Sequence, residues 1–156
     1  MNIDVASNLR KVKDALPEGV RLVAISKFHP SEYIMAAYDS GQRVFGESRE
    51  QELAVKAKEL PKDIDWHFIG HLQTNKVKYI APYIAMIEAV DSLKLLKEIN
   101  RQAAANGRVI KVLLELHIGA EQTKQGFVEE EILDILFHAG NYPNVRFCGL
   151  MGMATN

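Results

Sequence analysis

The sequence predicts an α/β fold of the (β/α)8 TIM-barrel type, present here as an incomplete barrel of about six of the eight strands. Three observations carry that expectation. Short apolar, β-branched runs alternate with helical apolar stripes along all 156 residues. No Gly-rich phosphate loop of the Rossmann or P-loop type follows any strand-like run, which argues against an open dinucleotide-binding sheet. The sequence also reaches Asn156 directly after a strand-like run, whereas a full barrel takes roughly 200 residues or more. The expected organisation is one barrel domain over residues 1–156 that lacks its C-terminal portion.

Each element has a local reason. Val5, Leu9, Val12 and Leu16 share one face of an opening helix that Pro17 and Gly19 end. Leu22-Val23-Ala24-Ile25-Ser26-Lys27 reads as a buried first strand, and Pro30 suits the first turn of the next helix. That helix carries Ile34, Ala37 and Tyr38 on one face and stops at Gly41. Arg43 to Gly46 forms a short second strand. Ser48 with Gln51 then reads as a capping box for a helix striped by Leu53, Ala57 and Leu60.

The third strand covers roughly residues 65–72 and leads into a short basic helix with Lys76 and Lys78. Ile84 to Val90 is the fourth strand, and Asp91 or Ser92 caps a helix with Leu93, Leu96 and Ile99 on one face. Val109 to Ile118 is the fifth strand. Glu129, Glu130 and Glu131 open the following helix, where the macrodipole favours negative charge. Val145 to Met153 reads as the sixth strand.

Composition narrows the function classes. Hydrophobic residues make up 47% and charged residues 25%, an ordinary globular balance. Nineteen basic against twenty acidic side chains leave no global field for nucleic acid or an anionic membrane. Met1-Asn2-Ile3-Asp4 does not open a signal peptide, and no apolar stretch is long enough to span a bilayer. Cys148, the single cysteine, is expected as a packed core thiol. These features make the cytoplasm the expected compartment.

Lys27 is the leading candidate for chemistry. It ends the most apolar short run, and the carboxyl ends of parallel strands are where α/β folds bind ligands. Burying an ammonium is costly, so a lysine placed there is a candidate nucleophile toward an aldehyde. The alternative is a lysine whose stem packs while its amine reaches solvent. Ser48 sits at the end of the second strand, where a hydroxyl can stand beside Lys27 as well as cap a helix. His71 follows Gly70 near the end of the third strand and is placed to face a pocket. His67 and His71 lie about 13 Å apart if on one strand, too far for a single metal ion. Glu115 and His117 share one face of the fifth strand and need polar partners, so they are expected to line the barrel interior.

Five segments then resemble one family: LVAISKFHP (22–30), QRVFGESREQE (42–52), DWHFIGHLQTNKVK (65–78), VDSLKL (90–95) and GLMGM (149–153). They are similar to the pyridoxal phosphate homeostasis proteins (the YggS/PROSC family), which are related to the N-terminal barrel of alanine racemases. The resemblance implies pyridoxal 5′-phosphate (PLP) held as a Schiff base on Lys27, with Ser48 in place of the family's usual asparagine near the cofactor; His71 joins them as a candidate cofactor contact by its position, and no metal is expected. It implies a non-catalytic role in intracellular PLP homeostasis, with PLP and PLP-dependent apoenzymes as partners and no nucleic acid or membrane. A PLP-dependent racemase-like enzyme is the alternative; racemisation would need a second acid/base group opposite the lysine. The family's usual Gly-Glu-Asn reads Gly46-Glu47-Ser48, and its frequent second lysine after the reactive one is His29. Two late segments that bind the phosphate in this family have no counterpart by motif in residues 1–156.

Overall fold

Six strands joined by five helical crossovers run in chain order around one parallel sheet. The structure is a computed structural model that describes residues 3–118 and 125–154. Its elements are α1 (Val5–Ala15), β1 (Ala24–Ile25), α2 (Ser31–Asp39), β2 (Val44–Glu47), α3 (Glu50–Glu59) and β3 (Asp65–Phe68). A 3-10 turn (Thr74–Lys76) leads into α4 (Val77–Ile80), followed by β4 (Met86–Val90), α5 (Leu93–Ala105), β5 (Ile110–Glu115), α6 (Glu129–Phe137) and β6 (Val145–Met151). The strand order is β1-β2-β3-β4-β5-β6, and each neighbouring pair is parallel. Successive right-handed crossovers that always step the same way place their helices on one face. That is the wall of a barrel, and the expected incomplete barrel is the observed architecture.

The two faces of the sheet differ in chemistry. Phe45, Trp66, Phe68, Ile87, Ile110, Val112 and Leu114 are buried in one core with Ile34, Leu53, Ile80, Leu96 and Ile99 from the helices. Each such side chain contributes about 1.5–3 kcal/mol on leaving water, so this layer holds the helices on the sheet. The opposite face lines the barrel interior. There a Cβ at Gly46 would lie 3.0 Å from Ile25, 3.1 Å from Ile69 and 3.2 Å from Val23, so a residue without a side chain lets β1, β2 and β3 close together. Further along that face come His67, Glu88 and Glu115.

Three local expectations are corrected. The first strand does not run buried to Lys27: β1 is only Ala24–Ile25, it pairs on one side with β2, and Ile25 is 49% exposed. An edge strand with a single neighbour buries less than the apolar run alone implied. Ser48 does not cap α3; the N-cap is Arg49, with no side-chain cap bond. Ser48 is held instead by close contact with Gly70, since a Cβ on Gly70 would sit 2.7 Å from Ser48 Cβ. Cys148 is exposed, because β6 is the other edge of the sheet. Among the described residues no helix is long and apolar enough to cross a membrane.

Ser92, by contrast, does cap α5: its Oγ accepts the Leu95 N–H at 3.1 Å. Ser92→Ala is therefore expected to cost about 1 kcal/mol in urea unfolding, and Ser48→Ala less than half as much. Equal losses at the two serines would restore the capping role for Ser48.

Candidate functional site at the strand ends

Parallel register sets Lys27 and Ser48 side by side. Ile25 pairs with Gly46, and each candidate lies two residues beyond that pair, at the carboxyl end of its strand. Lys27 occupies the second position of a turn from Ser26 to His29, closed by the His29 N–H donating to Ser26 O at 3.0 Å. Phe28, in the third position, has φ 65°, a backbone state that glycine usually takes there. Lys27 is half-buried, and among the described residues its amine has no hydrogen-bond or ion-pair partner.

Beneath the turn lies a buried charged cluster. Glu47 is fully buried, and its Oε2 accepts from Lys56 Nζ at 2.9 Å and from Ser26 Oγ. Lys56 also donates to Ser26 O at 2.9 Å and to Glu52 Oε2 at 2.8 Å. Three acceptors thus match the three N–H donors of one ammonium. Glu52 Oε2 also accepts the Phe28 N–H at 2.8 Å. Burial pushes the Glu52 carboxyl up, but the bonds from Lys56 and Phe28 and the charges of Lys56 and Arg49 outweigh it, leaving its pKa below the ordinary value.

His71 stands at the mouth of the interior face, exposed, with Nδ1 3.0 Å from Asp91 Oδ2. It follows Gly70, which touches Ser48, so the ends of β2 and β3 meet. One layer down, the buried His67 has Nδ1 3.3 Å from Glu88 Oε1. Glu115 is buried near the His71–Asp91 pair; burial, reinforced by the Asp91 charge, pushes its pKa up, and His71 opposes that shift. Lys27, Ser48 and His71 therefore end three consecutive strands without hydrogen bonds among them. A polar cleft of about 710 Å³ opens beside His71 and Asp91, between the 3-10 turn and α5. A separate apolar cavity of about 420 Å³ lies between α1, α2 and β1.

Sequence reasoning named Lys27, Ser48, His71 and Glu115 but missed Lys56, Glu47, Glu52 and Asp91. Two of these had a readable signal. Lys56 lies on the same helical stripe as Leu53 and Leu60, where a charge must find partners. Glu52 precedes it by four residues, the helical ion-pair spacing. The His71–Asp91 pair bridges twenty residues through the β3–β4 register and left no local mark.

Fold and site define a barrel wall with an amine that has no partner among the described residues and a line of polar groups at its carboxyl ends. The chain belongs to the alanine racemase N-terminal domain family, whose model matches residues 4–156. It is 40% identical over 132 residues to the pyridoxal phosphate homeostasis protein of Aquifex aeolicus, covering 84% of this chain and 58% of that relative. PipY of Synechococcus elongatus superposes with a TM-score of 0.88 at 35% identity without PLP, covering 95% of this chain and 70% of PipY. With PLP bound the TM-score is 0.84 at 34% identity, with 96% and 70% covered. Alanine racemase of Clostridium difficile has a TM-score of 0.78 at 15% identity over 97% of this chain and 41% of its own, a likeness of fold alone.

The raised pKa of Glu115 gives a signed expectation. A carboxyl whose folded pKa exceeds its unfolded value costs the fold stability as pH rises from the unfolded to the folded pKa, and the loss is complete above the folded value. Glu115→Gln is therefore expected to raise stability at about pH 8, with the gain shrinking between the folded and unfolded pKa and gone below about pH 4. Urea unfolding across that range measures it. A gain that does not change with pH would contradict the assignment.

Proposed function

We propose that this chain is a PLP-binding protein of the intracellular PLP homeostasis class, holding the cofactor as a Schiff base on Lys27. The observation that carries this is the placement, just beyond β1, of an amine without a partner among the described residues, in a fold shared with PipY, whose structure has PLP bound. Residues 1–156 act in this reading as a single PLP-binding barrel domain, in the cytoplasm.

The residues fit the cofactor by their chemistry. When bound, PLP supplies an aldehyde that an unprotonated amine captures with loss of one water. Lys27 provides that amine and keeps it out of ion pairs. The Ser48 hydroxyl, held by Gly70, offers both a donor and an acceptor beside it. The His71 imidazole, tied to Asp91, is oriented at the mouth, where it can donate a proton or accept one. His67 and Glu88 place a paired polar contact in the layer below.

The proposed role is to carry or buffer PLP and hand it to PLP-dependent apoenzymes, without turning over a substrate. The racemase-like alternative rests on the fold likeness to racemases, and fold alone does not carry function.

Incubation with PLP, borohydride reduction and peptide mapping test the assignment. The expected result is a reduced adduct on the Lys27 peptide and loss of the imine absorbance in Lys27→Ala. Label on Lys76 while Lys27 stays free would overturn it, and racemisation of alanine or serine by the native protein would overturn the non-catalytic reading.

A further inference from the structure

The residues on either side of Lys27 are both held from α3. Before it, Ser26 O accepts from Lys56 Nζ at 2.9 Å; after it, the Phe28 N–H donates to Glu52 Oε2 at 2.8 Å. Lys56 and Glu52 are themselves joined at 2.8 Å, so one ion pair grips the backbone on both flanks. Something must hold Phe28 at φ 65°, because a side chain at positive φ is disfavoured unless its surroundings fix it. Ring burial does not do so, since Phe28 is 63% exposed, with the Arg49 guanidinium 4.6 Å from the ring centre. The turn's own closing bond fixes Ser26 to His29 but leaves the Phe28 N–H free to rotate away.

We propose that Glu52 is a positioning residue for Lys27. Its carboxylate fixes the Phe28 N–H, the fixed peptide holds the turn, and the turn aims the Lys27 amine into the barrel mouth. Lys56 orients Glu52 and secures the other flank through Ser26. This rests on the proposed role of Lys27 as the PLP-binding amine. Glu52 does not touch the cofactor, and its effect passes entirely through the backbone.

The test has two arms on the whole chain. In the first, amide hydrogen exchange is read at Phe28 and, for reference, at Ile69, whose N–H donates to Glu47 O in the sheet. Glu52→Ala is expected to lower Phe28 protection about tenfold with Ile69 unchanged, and Glu52→Gln, which keeps an acceptor oxygen, to restore most of it. In the second, PLP labelling under borohydride is measured at Lys27 relative to Lys76. That ratio is expected to fall about tenfold in Glu52→Ala and to recover in Glu52→Gln. Unchanged Phe28 protection, or a parallel loss at Ile69, would overturn the positioning role. A labelling ratio that ignores both substitutions would overturn the link to Lys27. If the parent chain is not labelled at Lys27 at all, the PLP assignment falls, while the exchange arm still decides whether Glu52 holds the turn.

Discussion

The buried ammonium of Lys56 is the interaction on which the strand-end architecture depends. It draws Glu47 of β2, Glu52 of α3 and the Ser26 carbonyl into one cluster. Two opposite charges in a dry environment depend on how fully they are bonded: the ammonium has all three donors used, and Glu47 accepts through Oε2 while its Oε1 has no partner among the described residues. Removing it would leave a fully buried Glu47 carboxylate without its counter-charge, a loss of about 3–5 kcal/mol for pairs of this kind. The cluster therefore ties the edge strand β1 to the body of the protein. Two paired residues of sheet could not do that alone.

The sheet separates two tasks by its alternation. Its outer face is apolar and anchors the helices, with Phe45, Trp66, Phe68 and Ile87 in the core. Its inner face carries the polar pairs His67–Glu88 and His71–Asp91, with Glu115 beside the second pair. Small residues make the inner face possible: Gly46 lets β1 and β3 approach, and Gly70 lets the ends of β2 and β3 touch. Packing on one side thus fixes strand register, and register places Lys27, Ser48 and His71 at successive strand ends.

Much of this was legible in the sequence, for identifiable reasons. All six strands were legible as short apolar or aromatic runs, and α1, α3 and α5 as apolar stripes followed by stop residues. Ser92 was readable as a cap because its hydroxyl needs only local backbone. The failures share a cause: they depend on what lies across the sheet. Residues 22–27 look like a central strand, yet β1 has one neighbour only, and Cys148 is exposed for the same reason at β6. Ser48 satisfies a capping pattern, but its contact with Gly70 comes from the adjacent strand. The positive φ of Phe28 is invisible because no glycine marks it, and the bond from its N–H to Glu52 is a tertiary one. The resemblance to a PLP-homeostasis family pointed to Lys27, and strand-end geometry pointed there independently.

The most direct measurement of the central claim is a high-resolution crystal structure of the chain after incubation with PLP. The expected result is continuous density from Lys27 Nζ to the cofactor's aldehyde carbon, with Phe28 still at positive φ and its N–H within bonding distance of Glu52. PLP seated away from Lys27, or Lys27 turned out to solvent with Phe28 at negative φ, would contradict the account.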